Sequence, residues 1–206
     1  MKSKITLIAL LLTGSLASAQ TMGTMADPRD GNTYKTVSFK VESAGKGMIW
    51  MAENLKYEMA GAYVYSKNSE HARVFGLLYT WEAANNACPS GWHLPSEDEW
   101  NILISKWGEE NAGEALKGNE GWSDNGNGSN TSGFNALPAG WGVNKGEYYS
   151  FYARGTIGSF WTSTEYKEIG EESRGYERRM WNNYSGVESN IGDKDSAFSC
   201  RCVKDE

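Results

Sequence analysis

One short segment, residues 123–130, is rich in aspartate, asparagine, glycine and serine. The side-chain oxygens of Asp124, Asn125 and Asn127 are of the kind that Ca²⁺ takes as ligands. The segment holds only one carboxylate, however, and it lacks the glutamate that an EF-hand loop carries at its twelfth position. The same residue types also form tight turns. The sequence therefore favours a turn here and leaves these three residues as weak candidates for a calcium site.

Three consecutive carboxylates, Glu97, Asp98 and Glu99, could in principle supply an acid and a base for glycoside hydrolysis. A helix N-terminus explains all three, because its dipole favours negative charge in the first turn. Consecutive helical residues also do not face each other. His93 lies in an apolar run and is one of only two histidines, so a hydrogen-bonded structural role is favoured. The sequence predicts no catalytic residue and no enzyme.

Aromatic residues are abundant, with 9 Trp and 11 Tyr among the 206 residues. Flat aromatic rings pack on the apolar faces of sugars, and exposed aromatic surface marks binding sites. Six aromatic residues lie in or next to predicted loops and are the candidate ligand-binding residues: Trp122, Trp141, Tyr148, Tyr149, Tyr152 and Tyr166. The alternative that these six belong to the core or to strand edges stays open at this level.

The sequence predicts two helices in the central part of the chain. Trp81, Ala84 and Cys88 are spaced as one face of a short helix, which Pro89 ends. Ser96 and Glu99 form a capping box at the start of a second helix. That helix carries an apolar stripe at i, i+3, i+4 and i+7, made of Trp100, Leu103, Ile104 and Trp107.

Short apolar runs between turn residues predict the strands of a small antiparallel sheet. A turn and a strand are predicted over 27–39 and a second strand over 49–51, whereas 54–73 shows no period and is predicted to be a loop. The later runs are 134–137, 147–152, 159–162, 178–181 and 197–203. In the last run, Phe198, Cys200 and Cys202 are predicted to share one face.

The first 19 residues are typical of a cleavable signal peptide. Lys2 and Lys4 precede an apolar run that is too short to span a bilayer, and small residues end it at Ala17-Ser18-Ala19. Cleavage would leave one domain, residues 20–206, and no later stretch is apolar enough to cross a membrane. Loss of the two lysines would move the net charge from −6 to −8, which argues against nucleic acid as a partner. We therefore expect a secreted or cell-surface protein.

Export permits disulfides, and the chain has three cysteines. Cys88 is far in sequence from Cys200 and Cys202, so a bridge from Cys88 would close a loop of more than a hundred residues. Such a bridge stabilises the fold by about 4–5 kcal/mol in the chain-entropy model. One thiol must be left over.

Several motifs in order resemble the Fibrobacter succinogenes major paralogous domain, which occurs in exported and surface proteins. They are Asp30-Gly31-Asn32-Thr33-Tyr34-Lys35-Thr36-Val37, Trp50-Met51-Ala52-Glu53-Asn54-Leu55, Gly76-Leu77-Leu78-Tyr79-Thr80-Trp81, Cys88-Pro89-Ser90-Gly91-Trp92-His93-Leu94-Pro95-Ser96, Ala136-Leu137-Pro138-Ala139-Gly140, Phe160-Trp161-Thr162-Ser163-Thr164-Glu165 and Arg201-Cys202-Val203-Lys204. The resemblance covers nearly all of residues 20–206 and implies no particular activity.

A wider resemblance is to C-type-lectin-like domains and to the formylglycine-generating-enzyme group, which share an architecture. It implies an α+β, C-type-lectin-like fold, with two helices on a small twisted antiparallel sheet and long loops. In C-type lectins the first-helix cysteine is bridged to the last strand, which implies a Cys88–Cys202 disulfide with Cys200 as a buried thiol. A Cys88–Cys200 bridge is the alternative.

Trp181-Asn182-Asn183 resembles the Trp-Asn-Asp calcium motif of C-type lectins, although Asn183 replaces the carboxylate. Asn182 and Asn183 are thus weak metal candidates, and no cofactor beyond a possible calcium ion is predicted. The function expected from these features is that of an exported, non-catalytic binding module for a polysaccharide or a cell-surface partner. The alternatives are an enzyme related to the formylglycine-generating group and a structural protein of the cell envelope.

Overall fold

The computed structural model describes residues 20–41, 46–170 and 173–206. The expected signal peptide, residues 1–19, lies outside these described residues. The described chain mixes strands and short helices and forms two open sheets and a separate two-stranded hairpin. This confirms the expected mixture of α and β structure. The prediction of one small sheet with two helices is too simple, because the described residues hold two larger sheets and four helices.

The first sheet has five strands, and every neighbouring pair in it is antiparallel. In spatial order they are β1 (Thr21–Ala26), β2 (Thr33–Val41), β3 (Lys46–Met51), β13 (Val203–Lys204) and β6 (Trp92–His93). The predicted turn before β2 is present, because the Gly31 N–H donates to the Asp27 carbonyl at 2.9 Å. Gly31 has a φ of 76°, a conformation that glycine adopts without strain.

The second sheet has six strands. In spatial order they are β11 (Glu188–Asp193), β10 (Arg174–Trp181), β9 (Ile157–Glu165), β12 (Phe198–Ser199), β5 (Leu78–Tyr79) and β4 (Ala62–Tyr63). The β12–β9 pair is parallel and the other pairs are antiparallel. The separate hairpin joins β7 (Trp141–Asn144) to β8 (Tyr149–Tyr152).

The helices are α1 (Ser69–Phe75), α2 (Trp81–Ala87), α3 (Glu97–Ser105) and α4 (Ala112–Leu116). Both helices predicted from the sequence, α2 and α3, are present. The Ser96 hydroxyl accepts from the Glu99 N–H, and the Glu99 carboxylate accepts from the Ser96 N–H at 2.8 Å, so the predicted capping box is confirmed. Trp100, Leu103 and Ile104 on α3 are buried, as the apolar stripe predicts.

The core has two main clusters. The first lies between α3 and the first sheet, where the rings of Trp50, Trp100, Phe134 and Phe160 meet mostly edge to face at centroid distances of 5.0–6.1 Å. Such aromatic pairs add about 0.5–1.5 kcal/mol each beyond the area that they bury. The second cluster lies around α2 and β5.

The C-terminal segment separates these two clusters. Phe198, Cys200 and Cys202 belong to the second cluster, which confirms the predicted alternation, whereas Val203 belongs to the first. The prediction of one continuous strand over 197–203 is wrong. The segment pairs with the second sheet as β12 and then with the first sheet as β13, so residues 200–202 join the two sheets.

Two further predictions need correction. Residues 134–137 form no strand, because only Ala136 makes an isolated bridge, to Lys117. The predicted loop over 54–73 contains β4, a 3-10 turn at Tyr65–Lys67 and most of α1. The side chain of Asn68 caps α1 by accepting from the Glu70 N–H at 3.0 Å, which is a local signal for this helix start.

Candidate functional site

A cleft of about 630 Å³ lies between the β7–β8 hairpin and β4 with the segment that follows it. Its walls are mainly apolar and aromatic, and we call it the aromatic cleft; the wall residues are Ala62, Tyr63, Val64, Tyr148, Tyr149 and Phe151. Its volume is within the range of small-molecule binding sites. It opens to solvent beside the exposed Tyr148, and its apolar walls with a few polar groups make it a candidate site for a ligand.

Strand alternation in the hairpin decides which rings face the cleft. Tyr149 and Phe151 are two residues apart on β8 and therefore share a face. The Tyr149 ring stacks on Tyr63 at a centroid distance of 3.8 Å and an interplanar angle of 29°. The Tyr149 hydroxyl donates to the Asp195 carbonyl at 2.8 Å, so the ring is held from both sides. Burial, reinforced by the hydrogen bond with Tyr63, raises the pKa of the Tyr149 hydroxyl, which stays protonated at physiological pH.

Tyr148 differs from its neighbour in being free of such packing. Its side chain is 64% exposed at the tip of the hairpin. The rim beside it is polar and carries both charge signs, with Lys67, Asn144 and Glu147. The cleft thus offers a fixed ring, an exposed ring and a few hydrogen-bonding groups, which suits a ligand with an apolar face and polar edges.

The structure divides the six aromatic candidates. Tyr148 and Tyr149 lie in the aromatic cleft. Tyr152 is exposed on the opposite face of the hairpin, where its ring lies 5.6 Å from that of the partly buried Trp141. Tyr166 lies elsewhere, beside Tyr176 at the end of β9. The six residues therefore do not form one continuous surface.

The expectation that Trp122 lies open to a ligand is wrong. Its side chain is only 5% exposed, and its indole N–H donates to the Ala136 carbonyl at 3.1 Å. The Lys117 ammonium lies 5.3 Å from the ring centroid. A loop position predicted exposure, but the loop folds back over the first core cluster and encloses the ring.

The weak metal candidates are partly brought together. Asp124 and Asn125 have φ values of 55° and 58°, which confirms the predicted turn. The Asp124 carboxylate accepts from the Asn182 side-chain amide at 3.1 Å, and Asn127 accepts from the Trp122 N–H at 3.0 Å. Asn183 is exposed beside Asn182. Asp124 is the one carboxylate among these five candidates, and Ca²⁺ usually requires more.

Sequence reasoning missed Tyr63, Val64 and Phe151. The first two lie in the segment that was predicted to be a loop. The run Ala62-Tyr63-Val64-Tyr65 holds aromatic and β-branched residues that favour strands, and this signal could have marked β4. Phe151 lies in a run that was correctly predicted to be a strand, but its face could not be assigned.

The carboxylates at the start of α3 have separate structural partners. Glu97 forms an ion pair with Arg178 at 2.6 Å. Glu99 caps the helix and also contacts His93 Nε2 at 2.8 Å. Asp98 is exposed. This arrangement agrees with the interpretation that a helix N-terminus, rather than a catalytic pair, accounts for these residues.

His93 is hydrogen-bonded on both ring nitrogens. Its Nδ1 lies 2.6 Å from the Asp205 carboxylate, and Nε2 contacts Glu99. Burial disfavours the charged imidazolium, but the hydrogen bonds to Asp205 and Glu99 outweigh it and raise the pKa of His93 above its ordinary value of 6.5. This fits the expected structural role.

The His93 network predicts a pH-dependent contribution to stability. Because the pKa is raised in the folded state, the contribution is fully present below 6.5 and is lost as pH rises through the folded-state pKa. We expect His93→Gln to lower the free energy of unfolding by less than about 1 kcal/mol near pH 5.5, since the ring is partly exposed. The difference should vanish near pH 8.5 in urea titrations. An effect that grows with pH would contradict this assignment.

The three cysteines lie together between α2 and the C-terminal segment. The sulfur atoms of Cys88 and Cys202 are at disulfide distance, 2.07 Å, and their Cα atoms are 5.8 Å apart. Cys200 is the free, buried cysteine, and its burial raises the pKa of the thiol to about 12. The Cys200 thiol is therefore protonated and a poor nucleophile in the folded protein.

Comparison with known proteins adds a family. A sequence model described as the Fibrobacter succinogenes major domain matches residues 45–204. The match begins after Asp30–Val37, the first of the motifs that resemble this family. No curated protein and no solved structure matches the chain. Over residues 20–41, 46–170 and 173–206, no helix is both long enough and apolar enough to cross a membrane.

Proposed function

The chain belongs to the Fibrobacter succinogenes major domain family, and we propose that it is an exported, non-catalytic module that binds a polysaccharide through the aromatic cleft. The observation that carries this proposal is the exposed Tyr148 beside the stacked Tyr63–Tyr149 pair, in a cleft of about 630 Å³. Sugar rings have apolar faces that pack on flat aromatic rings, and their hydroxyl groups reach polar groups at the edge. The rim residues Lys67, Asn144 and Glu147 can supply those hydrogen bonds.

A binding role without catalysis is supported by the composition of the cleft. Glu147 is the one carboxylate among the described residues that line it. Glycoside hydrolysis normally uses two carboxyl groups on either side of the bond that is cleaved. The cleft instead offers apolar and aromatic area with a single carboxylate at its rim, which favours retention of a ligand over cleavage.

Export and the finer fold assignment are part of the same proposal. The signal-like segment at residues 1–19 supports secretion or display at the cell surface, and the Cys88–Cys202 pair suits an oxidising compartment. A C-type-lectin-like arrangement is supported by two features. Cys88 directly follows α2, and Cys202 directly precedes the last strand, β13.

The proposal predicts that the exposed ring carries much of the binding energy. Residues 20–206 should be retained by at least one of cellulose, xylan and chitin in a depletion assay. Truncating a central aromatic residue commonly costs more than 1 kcal/mol, so Tyr148→Ala should weaken retention about tenfold. The matched control is Tyr184→Ala, which removes a 42% exposed tyrosine away from the cleft and should leave retention unchanged. EDTA should also have no effect.

Two outcomes would overturn this proposal. One is that none of the three polysaccharides retains the protein, in which case a surface protein would become the better candidate partner. The other is that Tyr148→Ala and Tyr184→Ala weaken retention equally, because a cleft-specific site cannot lose binding through a ring that does not line the cleft. Cleavage of a retained polysaccharide would instead contradict the non-catalytic part of the proposal.

A further inference from the structure

A second cavity, of about 350 Å³, lies where α3 faces β10 and β11. We call it the polar cavity. It shares no lining residue with the aromatic cleft; its lining residues are Glu97, Asn101, Ile104, Ser105, Glu109, Arg178, Val187 and Ser189. The volume is at the low end of the range for small-molecule sites, which corresponds to a ligand of one or two small rings.

A buried guanidinium forms the floor of the polar cavity. Arg178 is 5% exposed, and its Nη2 donates to the Glu97 carboxylate and to the Asn101 side-chain oxygen, both at 2.6 Å. Within the described part of the chain, the buried Nε of Arg178 has no hydrogen-bond partner. An unpaired buried N–H is costly, so the surrounding protein groups leave this guanidinium incompletely satisfied.

The other groups of the polar cavity supply acceptors and an apolar wall. The Ser189 hydroxyl lies 3.3 Å from the half-buried Glu97 carboxylate. A carboxylate has about four acceptor sites, so the Arg178 and Ser189 side chains leave part of its acceptor capacity free. Ile104 and Val187 form the apolar side. One wall therefore carries paired donors and acceptors, while another can only make van der Waals contact.

The hydrogen-bonding groups and the apolar wall of the polar cavity together fit one class of ligand. The Glu97 carboxylate and the Arg178 guanidinium already pair with each other, so a charged group that enters the cavity loses hydration without gaining a free counter-ion at its floor. A neutral ring with several hydroxyl groups can hydrogen-bond to both charged groups. Each hydroxyl can donate to the Glu97 carboxylate and accept from the Arg178 guanidinium. We propose that the polar cavity binds one neutral sugar residue, with its apolar face on Ile104 and Val187. This site stands independently of the aromatic cleft.

A titration monitored by NMR can locate such a site directly. Uniformly ¹⁵N-labelled protein of residues 20–206 is titrated with D-glucose, D-xylose and D-galactose, and separately with D-glucuronate and D-glucosamine. At least one neutral sugar should shift the backbone amide signals of Asn101, Ser105 and Ser189 in a saturable manner. The two charged sugars should bind at least fivefold more weakly. If no neutral sugar shifts these signals, or a charged sugar binds more tightly, the proposal is wrong.

Substitutions at the polar cavity separate a binding role from a structural one. Asn101→Ala and Ser189→Ala remove exposed polar groups, so both variants should fold, and each should weaken binding of the neutral sugar at least fivefold. Asn85→Ala, on the exposed face of α2, is the matched control and should bind as the unmodified protein does. If all three variants bind equally, Glu97 and Arg178 form only a structural ion pair, and the proposal fails. Tyr148→Ala should leave this binding unchanged, so the two sites are tested separately.

Discussion

Replacing Arg201 with methionine is expected to lower the free energy of unfolding by about 3–5 kcal/mol. Arg201 is 1% exposed, yet burial lowers the pKa of its guanidinium only to about 9, so it is charged at neutral pH. Methionine has a similar volume and would fill the space. The expected loss therefore comes from the acceptors that are left unpaired rather than from a cavity.

Three acceptors depend on this one side chain. Arg201 Nε donates to the Asn54 side-chain oxygen at 2.8 Å, Nη2 donates to the Asn135 carbonyl at 2.7 Å, and Nη1 donates to the Phe134 carbonyl. The guanidinium also lies 4.2 Å from the centroid of the Phe134 ring. These contacts attach residues 134–135, which have no strand pairing of their own, to the segment that joins the two sheets.

Urea denaturation monitored by tryptophan fluorescence measures the effect. Arg154→Met is the matched control, because Arg154 is exposed and lies 5.7 Å from the Phe75 ring centroid. It should change stability by less than about 0.5 kcal/mol. Equal small losses in both variants would show that the Arg201 contacts contribute little beyond its volume.

The parts of the fold that were predicted correctly from the sequence depend on patterns among neighbouring residues. The α3 helix has a capping box and a stripe of large apolar residues within nine positions, so its start and its buried face follow from neighbouring residues alone. The alternation of Phe198, Cys200 and Cys202 is also a local pattern. Its burial in the second cluster follows from the two-residue period of an extended chain.

Long-range pairing explains what the sequence did not predict. Residues 197–203 have the pattern of one strand, but Ser199 pairs with Phe160 in one sheet and Val203 pairs with Trp50 in the other. The strands on both sides decide where the segment changes sheets, and no residue of the segment itself marks that point. The burial of Trp122 could not be predicted either, because it depends on how its loop folds over Ala136.

The aromatic cleft could likewise be predicted only in part, because its residues come from distant parts of the chain. Tyr148 and Tyr149 could be selected as candidates because they are aromatic residues in or next to a predicted loop. Their partner Tyr63 is more than eighty residues away in the chain and lies on a two-residue strand, which is too short to show a period. The polar cavity combines residues from one helix and two strands in the same way, so its geometry could not be read from spacing.

Two alanine substitutions in the cysteine cluster are expected to differ widely in their effect on stability. Cys88→Ala removes a cross-link between positions 114 residues apart, which should lower the free energy of unfolding by about 4–5 kcal/mol. Cys202→Ala removes the same cross-link but leaves Cys88 with another partner. The Sγ atoms of Cys88, Cys200 and Cys202 all lie within 4.8 Å of one another, so a Cys88–Cys200 bridge can form with a small shift. We therefore expect Cys202→Ala to lose less than half as much stability.

Peptide mapping under non-reducing conditions, together with urea denaturation, distinguishes the two variants. Cys202→Ala should contain a Cys88–Cys200 disulfide, while the unmodified protein should contain one free thiol at Cys200. In Cys88→Ala, even a Cys200–Cys202 bridge would close a loop too short to stabilise the fold appreciably. Cys200→Ala is the control and should keep the original bridge with no free thiol. If Cys202→Ala is as unstable as Cys88→Ala and keeps both thiols, the surrounding core holds Cys200 too firmly to replace its neighbour. The C-terminal segment would then tolerate a single pairing, and the free thiol would serve only as a small apolar side chain.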